Sequence, residues 1–188
     1  MFRSLHVRAT LAVAAALVIV TAAVASAHVV QTIGTYTVAL GWQHEPTYVG
    51  EINAVEVFVT DSSGAPVDDL SPDDLTVTVT FGDQTSDPLP LLPSYDEDTG
   101  LGTKGDYLAA IIPTEPGDYT FHLVGKIHDQ AVDETATSSD ATFDSVQNPA
   151  AIQFPDTLPT ISDLVTRIER LEARIAGASP EPSASSAP

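Results

Sequence analysis

The sequence predicts an all-β fold, an immunoglobulin-like antiparallel β-sandwich that ends in a short amphipathic helix. Three observations predict it. From residue 35 to about 145, apolar and polar residues alternate with period two. Clusters of Gly, Pro, Asp and Ser interrupt that alternation at regular intervals. Past residue 159 the apolar spacing changes to steps of three and four.

The first element is a leader, residues 1–27. Arg3, His6 and Arg8 form a short basic start, and residues 11–20 are an unbroken apolar run. Ala25-Ser26-Ala27 then supplies the small-x-small pattern that a signal peptidase reads. The apolar stretch, about 14 residues, falls short of the roughly 18–20 that a spanning helix needs. We therefore expect cleavage after Ala27 and a mature chain that begins at His28. The expected location is extracytoplasmic: secreted, periplasmic or associated with the cell envelope. No second apolar stretch of that length follows, so no membrane span is expected in the mature chain.

The sandwich is expected over residues 28–147. Tyr36, Val38, Leu40 and Trp42 share one face of a first strand. Val55, Val57 and Val59 share a face of a second, within residues 53–60. Leu75, Val77, Val79 and Phe81 alternate with Thr76, Thr78 and Thr80, and Tyr107, Ala109 and Ile111 follow. Tyr119, Phe121, Leu123 and Ile127 make a further strand or pair of strands, and a last strand is expected around residues 141–143. These runs are rich in β-branched and aromatic residues. Turns fall at residues 61–66, 96–100 and 116–118. Short strands, each with one apolar face, bury those faces by packing two sheets together.

A Pro-containing linker is expected over residues 148–159, with Ile152 and Phe154 apolar enough to lie along the domain. A helix is expected over residues 160–176. Thr160 caps it and Asp163 stands at the third helical position. Ile161, Leu164, Ile168, Leu171 and Ile175 form a two-heptad seam flanked by Arg167, Glu169, Arg170, Glu172 and Arg174. A helix of this length is marginal alone in water, so its stripe must be covered. Docking on the sandwich and pairing with other copies are the two routes, and the second, a homo-oligomer through residues 160–176, is the expectation. Residues 177–188 form a Ser/Pro/Ala-rich tail, expected to be disordered.

Composition removes several classes of function. Beyond residue 27 the chain carries five basic and 26 acidic residues, a formal charge of −21. Such a surface repels nucleic acid and anionic lipid and attracts cations. Cysteine is absent, which excludes disulfides, thiolate metal sites and cysteine nucleophiles. No nucleophile-elbow, metalloprotease, phosphate-loop or dinucleotide motif occurs, so the protein is not expected to be an enzyme. Asp96, Asp98 and Gly100 match only part of a calcium loop, and a solvated turn is the expected reading.

Four histidines follow the leader: His28, His44, His122 and His128. An N-terminal histidine offers an α-amine and an imidazole to one metal. Nitrogen-rich sites without thiolate suit Cu(II). On a continuous strand His122 and His128, six residues apart, face the same side with Lys126 between them. Asp129 offers a carboxylate beside His128. The candidate metal ligands are thus His28, His128, Asp129 and His122. His44 sits in a loop after the first strand.

Three stretches carry a resemblance. The first is residues 41–55, Gly41-Trp42-Gln43-His44-Glu45-Pro46 through Gly50, Asn53 and Val55. The second is Asp61-Ser62-Ser63-Gly64-Ala65-Pro66-Val67, and the third is Pro116-Gly117-Asp118-Tyr119 within residues 113–121. Together they resemble the YtkA-like and CopC-like group of exported bacterial immunoglobulin-like domains, over about residues 28–145. CopC-like members bind copper through a mature N-terminal histidine, a later histidine and an aspartate. The resemblance implies His28 as a bidentate ligand, with His128 and Asp129 as the best match to the later pair. This chain reads Ile127-His128-Asp129, whereas the family places aspartate first with one residue between. Its only methionine is Met1. The expected function is a non-catalytic exported binding protein handling Cu(II). The alternative is an envelope sandwich that recognises another envelope protein and self-associates through its helix.

Overall fold

A computed structural model describes residues 28–139 and 141–177. The leader and the Ser/Pro/Ala tail beyond Gly177 lie outside the described residues. Among the described residues ten strands form two antiparallel sheets. They are β1 (His28–Ile33), β2 (Tyr36–Trp42), β3 (Asn53–Thr60), β4 (Leu75–Phe81), β5 (Gln84–Thr85), β6 (Leu89–Pro90), β7 (Leu92–Pro93), β8 (Asp106–Ile111), β9 (Thr120–Ile127) and β10 (Gln130–Thr137). The first sheet runs β1-β2-β3-β8-β7. The second runs β10-β9-β4-β5, with β6 also paired to β4. The fold is the predicted β-sandwich followed by one helix.

The alternation explains which side faces in. Val38, Leu40 and Trp42 on β2, and Val55, Val57 and Val59 on β3, are buried from one sheet. Leu75, Val77 and Val79 on β4, and Phe121 and Leu123 on β9, meet them from the other. Trp42, 1 % exposed, ties the layers together. Its ring meets Phe121 edge-on at 4.8 Å and Tyr119 at 5.8 Å, and Phe121 stacks on Phe143 at 4.8 Å. The indole N–H donates to the Asp144 carbonyl at 3.0 Å. Rings occupy the centre that a disulfide bridges in many immunoglobulin-like domains. Tyr119 makes the corner expected of such a fold: its hydroxyl donates to the Glu115 carbonyl, four residues back, at 2.9 Å.

Two strand assignments change. β1 begins at His28, before the alternation is visible in the sequence. The last strand is β10, paired with β9 across a two-residue turn, and not residues 141–143. Phe143 is buried from a loop, which explains why that segment reads as apolar. The linker also differs. The Ile152 and Phe154 side chains are 60 % and 93 % exposed, so neither packs on the sandwich. Asn148 instead caps a short 3₁₀ turn, Pro149–Ala151, by accepting from the Ala150 amide.

Helix α1 (Ile161–Gly177) begins at the predicted cap. The Asp163 amide donates to the Thr160 hydroxyl oxygen at 3.1 Å. Asp163 accepts from the Thr160 amide at 2.9 Å and from its hydroxyl at 2.8 Å. This reciprocal box satisfies amides that a helix start otherwise leaves open. Those bonds hold the Asp163 carboxyl below its ordinary pKa. No residue of α1 is buried. Among the described residues no helix is long and apolar enough to cross a membrane.

Candidate functional site

His28 opens β1 on the outer face of the first sheet. The register sets His28 opposite Gly41, and Gly41 opposite Glu56. Opposed residues share a face. Gly41 has no side chain, so the imidazole reaches over β2 to Glu56. His28 Nε2 and Glu56 Oε2 lie 2.6 Å apart, and both side chains are about four-fifths covered. The Glu56 hydrogen bond raises the His28 pKa, burial opposes it, and the charges of Glu56, Glu45 and Asp106 add to the rise.

Asp106 lies one row away on the same face, opposite Phe58 of β3. It is 7 % exposed, and its Oδ1 is buried without a hydrogen bond. Burial raises its pKa; the Ser94 hydroxyl and His28 oppose that rise, and Glu56 adds to it. Glu45 approaches from the β2–β3 loop. Its Oε1 accepts from the Asp144 amide at 2.7 Å. Burial raises its pKa, while that amide and His28 lower it. The centre is therefore one imidazole among three carboxylates.

The other expected ligands stand elsewhere. His122 lies on the outer face of the second sheet, with Nε2 at 2.8 Å from Asp133 Oδ1. The two sheets are about 10 Å apart, and His28 and His122 point away from each other. His128 and Asp129 form the turn between β9 and β10, where His128 adopts φ 53°. Histidine is among the residues that tolerate this left-handed region. Its Nδ1 lies 2.9 Å from the Tyr36 hydroxyl and its Nε2 3.0 Å from Asp69 Oδ1. Tyr36 is five residues down β2 from Gly41, which puts it ~17 Å from the His28 row. His122 and His128 also do not share a strand face, because His128 is past the end of β9. Asp129 is exposed.

The structure thus does not bring His28, His122, His128 and Asp129 together. It gives three separate histidine–carboxylate pairs instead: His28–Glu56, His122–Asp133 and His128–Asp69. As a set, the four residues do not fit one copper ion. Among the described residues no group of three or more His, Cys, Asp or Glu side chains is arranged to hold a metal. Asp96 is occupied in its own turn, accepting from the Thr99 amide at 2.8 Å.

Sequence reading missed Glu56 and Asp106. The available signal was a lone carboxylate in an apolar strand, as in Ala54-Val55-Glu56-Val57-Phe58. It also missed what the resemblance motifs do. Asn53 accepts from the His44 and Ala54 amides and donates to the His44 carbonyl and Thr47 hydroxyl. Asp61 accepts from the Ser63 and Ala65 amides and closes the turn after β3. These bonds, with the Tyr119 corner, build loops. His44 joins its loop through its backbone, and its side chain is exposed. No protein-family model matches the chain, and no curated protein matches it.

Proposed function

We propose that the protein is an exported, non-catalytic interaction module of the cell envelope that assembles through its C-terminal helix. One observation carries the reading. Along α1 the apolar seam is open to water, with Leu164, Ile168 and Leu171 43 %, 54 % and 54 % exposed. The sandwich meanwhile closes its core without any residue of the helix. A stripe of this kind on a marginal helix requires a partner surface.

Charge supports assembly at this element. Residues 28–147 hold 21 acidic residues and two lysines, a formal charge of −19. Helix α1 holds Asp163, Glu169 and Glu172 against Arg167, Arg170 and Arg174, a formal charge of zero. It is the segment where two such chains approach with least repulsion. The test is the solution mass of the exported chain and of its Leu164→Ser/Leu171→Ser variant. A concentration-dependent mass above the monomer, lost in the variant, is expected. A monomer in both removes the proposal.

The copper reading that the resemblance implies now rests on His28 alone. Titration of Cu(II) into the chain that starts at His28, and into one with an extra residue before it, examines that remainder. Equal binding by the two forms is expected.

A further inference from the structure

We infer that the helix partner is a second copy of this chain, paired in parallel and in register as a two-stranded coiled coil. This rests on the self-association proposed above and assigns its geometry. Within α1, Ile161, Ile168 and Ile175 take the a positions, and Leu164 and Leu171 the d positions. Isoleucine at a with leucine at d favours two strands over three or four. Val165, at an e position beside the seam, is also exposed and widens it.

The flanking charges fix the direction. Arg167 and Arg174 occupy g positions, and Glu172 occupies an e position. In a parallel pair each g residue faces the e residue five positions on in its partner. Arg167 of one helix then meets Glu172 of the other, and symmetry makes the contact twice. In an antiparallel pair g faces g, and Arg167 meets Arg174 twice. Opposite charges support the first arrangement and like charges oppose the second. A parallel pair carries both sandwiches at one end, on the linkers of residues 148–160.

The chain has no cysteine, so one introduced thiol reports direction without background. The exported chain carrying Ile161→Cys is allowed to oxidise in air, and so, separately, is an equal mixture of Leu164→Cys and Ile175→Cys chains. In a parallel pair the two residues at 161 come within disulfide reach. In an antiparallel pair a faces d, so they stand ~25 Å apart along the axis, and 164 meets 175. We expect dimer mass and a disulfide in Ile161→Cys. We also expect Arg167→Glu to weaken the dimer several-fold, and Arg167→Glu/Glu172→Arg to restore it. A dimer that leaves Ile161→Cys reduced and joins 164 to 175 in the mixture overturns the parallel geometry and leaves self-association standing. A trimer or tetramer overturns the two-stranded seam. A monomer at every concentration overturns both proposals, as does a monomer that binds anionic vesicles through α1.

Discussion

The sandwich and the helix satisfy opposite requirements. The sandwich buries its alternating apolar residues against itself, and its surface keeps other acidic chains at a distance. The helix buries nothing and carries balanced charge. Apolar exposure and charge neutrality coincide on the same 17 residues. Either property alone is common on a protein surface. Their coincidence separates the part that packs on itself from the part that we propose meets another molecule.

That separation can be broken by experiment. The largest effect belongs to Trp42→Ala, which empties the contact between the sheets. It should cost about 3–5 kcal/mol of sandwich stability in urea unfolding. If it also abolished helix-mediated assembly under conditions where the sandwich stays folded, the two regions would not be independent. Asp106→Asn should act the other way. It removes a buried charge beside Glu56, and the gain at neutral pH should be about 1–2 kcal/mol. Burial raises the Asp106 pKa, so its penalty is present above the folded value and gone below the unfolded value near 3.9. The gain should therefore vanish in melts taken below that pH.

Thr160→Ala addresses the helix alone. It removes the hydroxyl from the capping box and should cost about 1 kcal/mol of helix stability. Circular dichroism and dimer mass should fall while the sandwich midpoint stays fixed. A shifted midpoint would mean that the two regions are coupled. The smallest expected effect concerns His28, in Glu56→Gln. The native pair binds its proton more tightly than the unfolded chain, so its stabilisation is full below the unfolded value near 6.5. It is lost as pH rises through the raised native value. Wild type and Glu56→Gln should differ most below pH 6 and converge at alkaline pH; the reverse trend would dismiss the pair.

Much of the fold was legible, because a period of two in Val, Leu, Thr and Tyr reports a half-buried strand directly. β3 and β4 fall where the alternation puts them. β1 and β10 were not legible. His28–Ile33 has adjacent valines and no clean alternation, and Gln130–Thr137 is an edge strand with few large apolar residues and Asp133 and Glu134 at its centre. Edge strands gain their order from a neighbour, not from their own composition. Phe143 misled for a related reason: burial without hydrogen-bonded pairing looks the same in one dimension as a strand. The helix was legible down to its cap, since capping and heptad rules are local.

The candidate site was legible only in His28. Its partners Glu56 and Asp106 are 28 and 78 positions away, and cross-strand register is invisible in a single sequence. The spacing of His122 and His128 suggested a shared face, but the strand ends before His128 does its work with Tyr36 and Asp69. Asn53, Asp61 and Tyr119 carried the resemblance and proved to be loop and corner residues. A likeness built on them speaks for the architecture.

The ring cluster around Trp42 has a chemical consequence outside folding. From His28 onward the chain contains no sulfur, because cysteine is absent and the only methionine is Met1. The oxidation ladder of thiols and thioethers therefore has no first rung beyond residue 27. The remaining side chain most open to oxidants, the indole of Trp42, is sealed between the sheets. A peroxide or a change in thiol poise thus finds no sulfur to react with in this domain. Its integrity would not depend on the thiol redox poise of its surroundings.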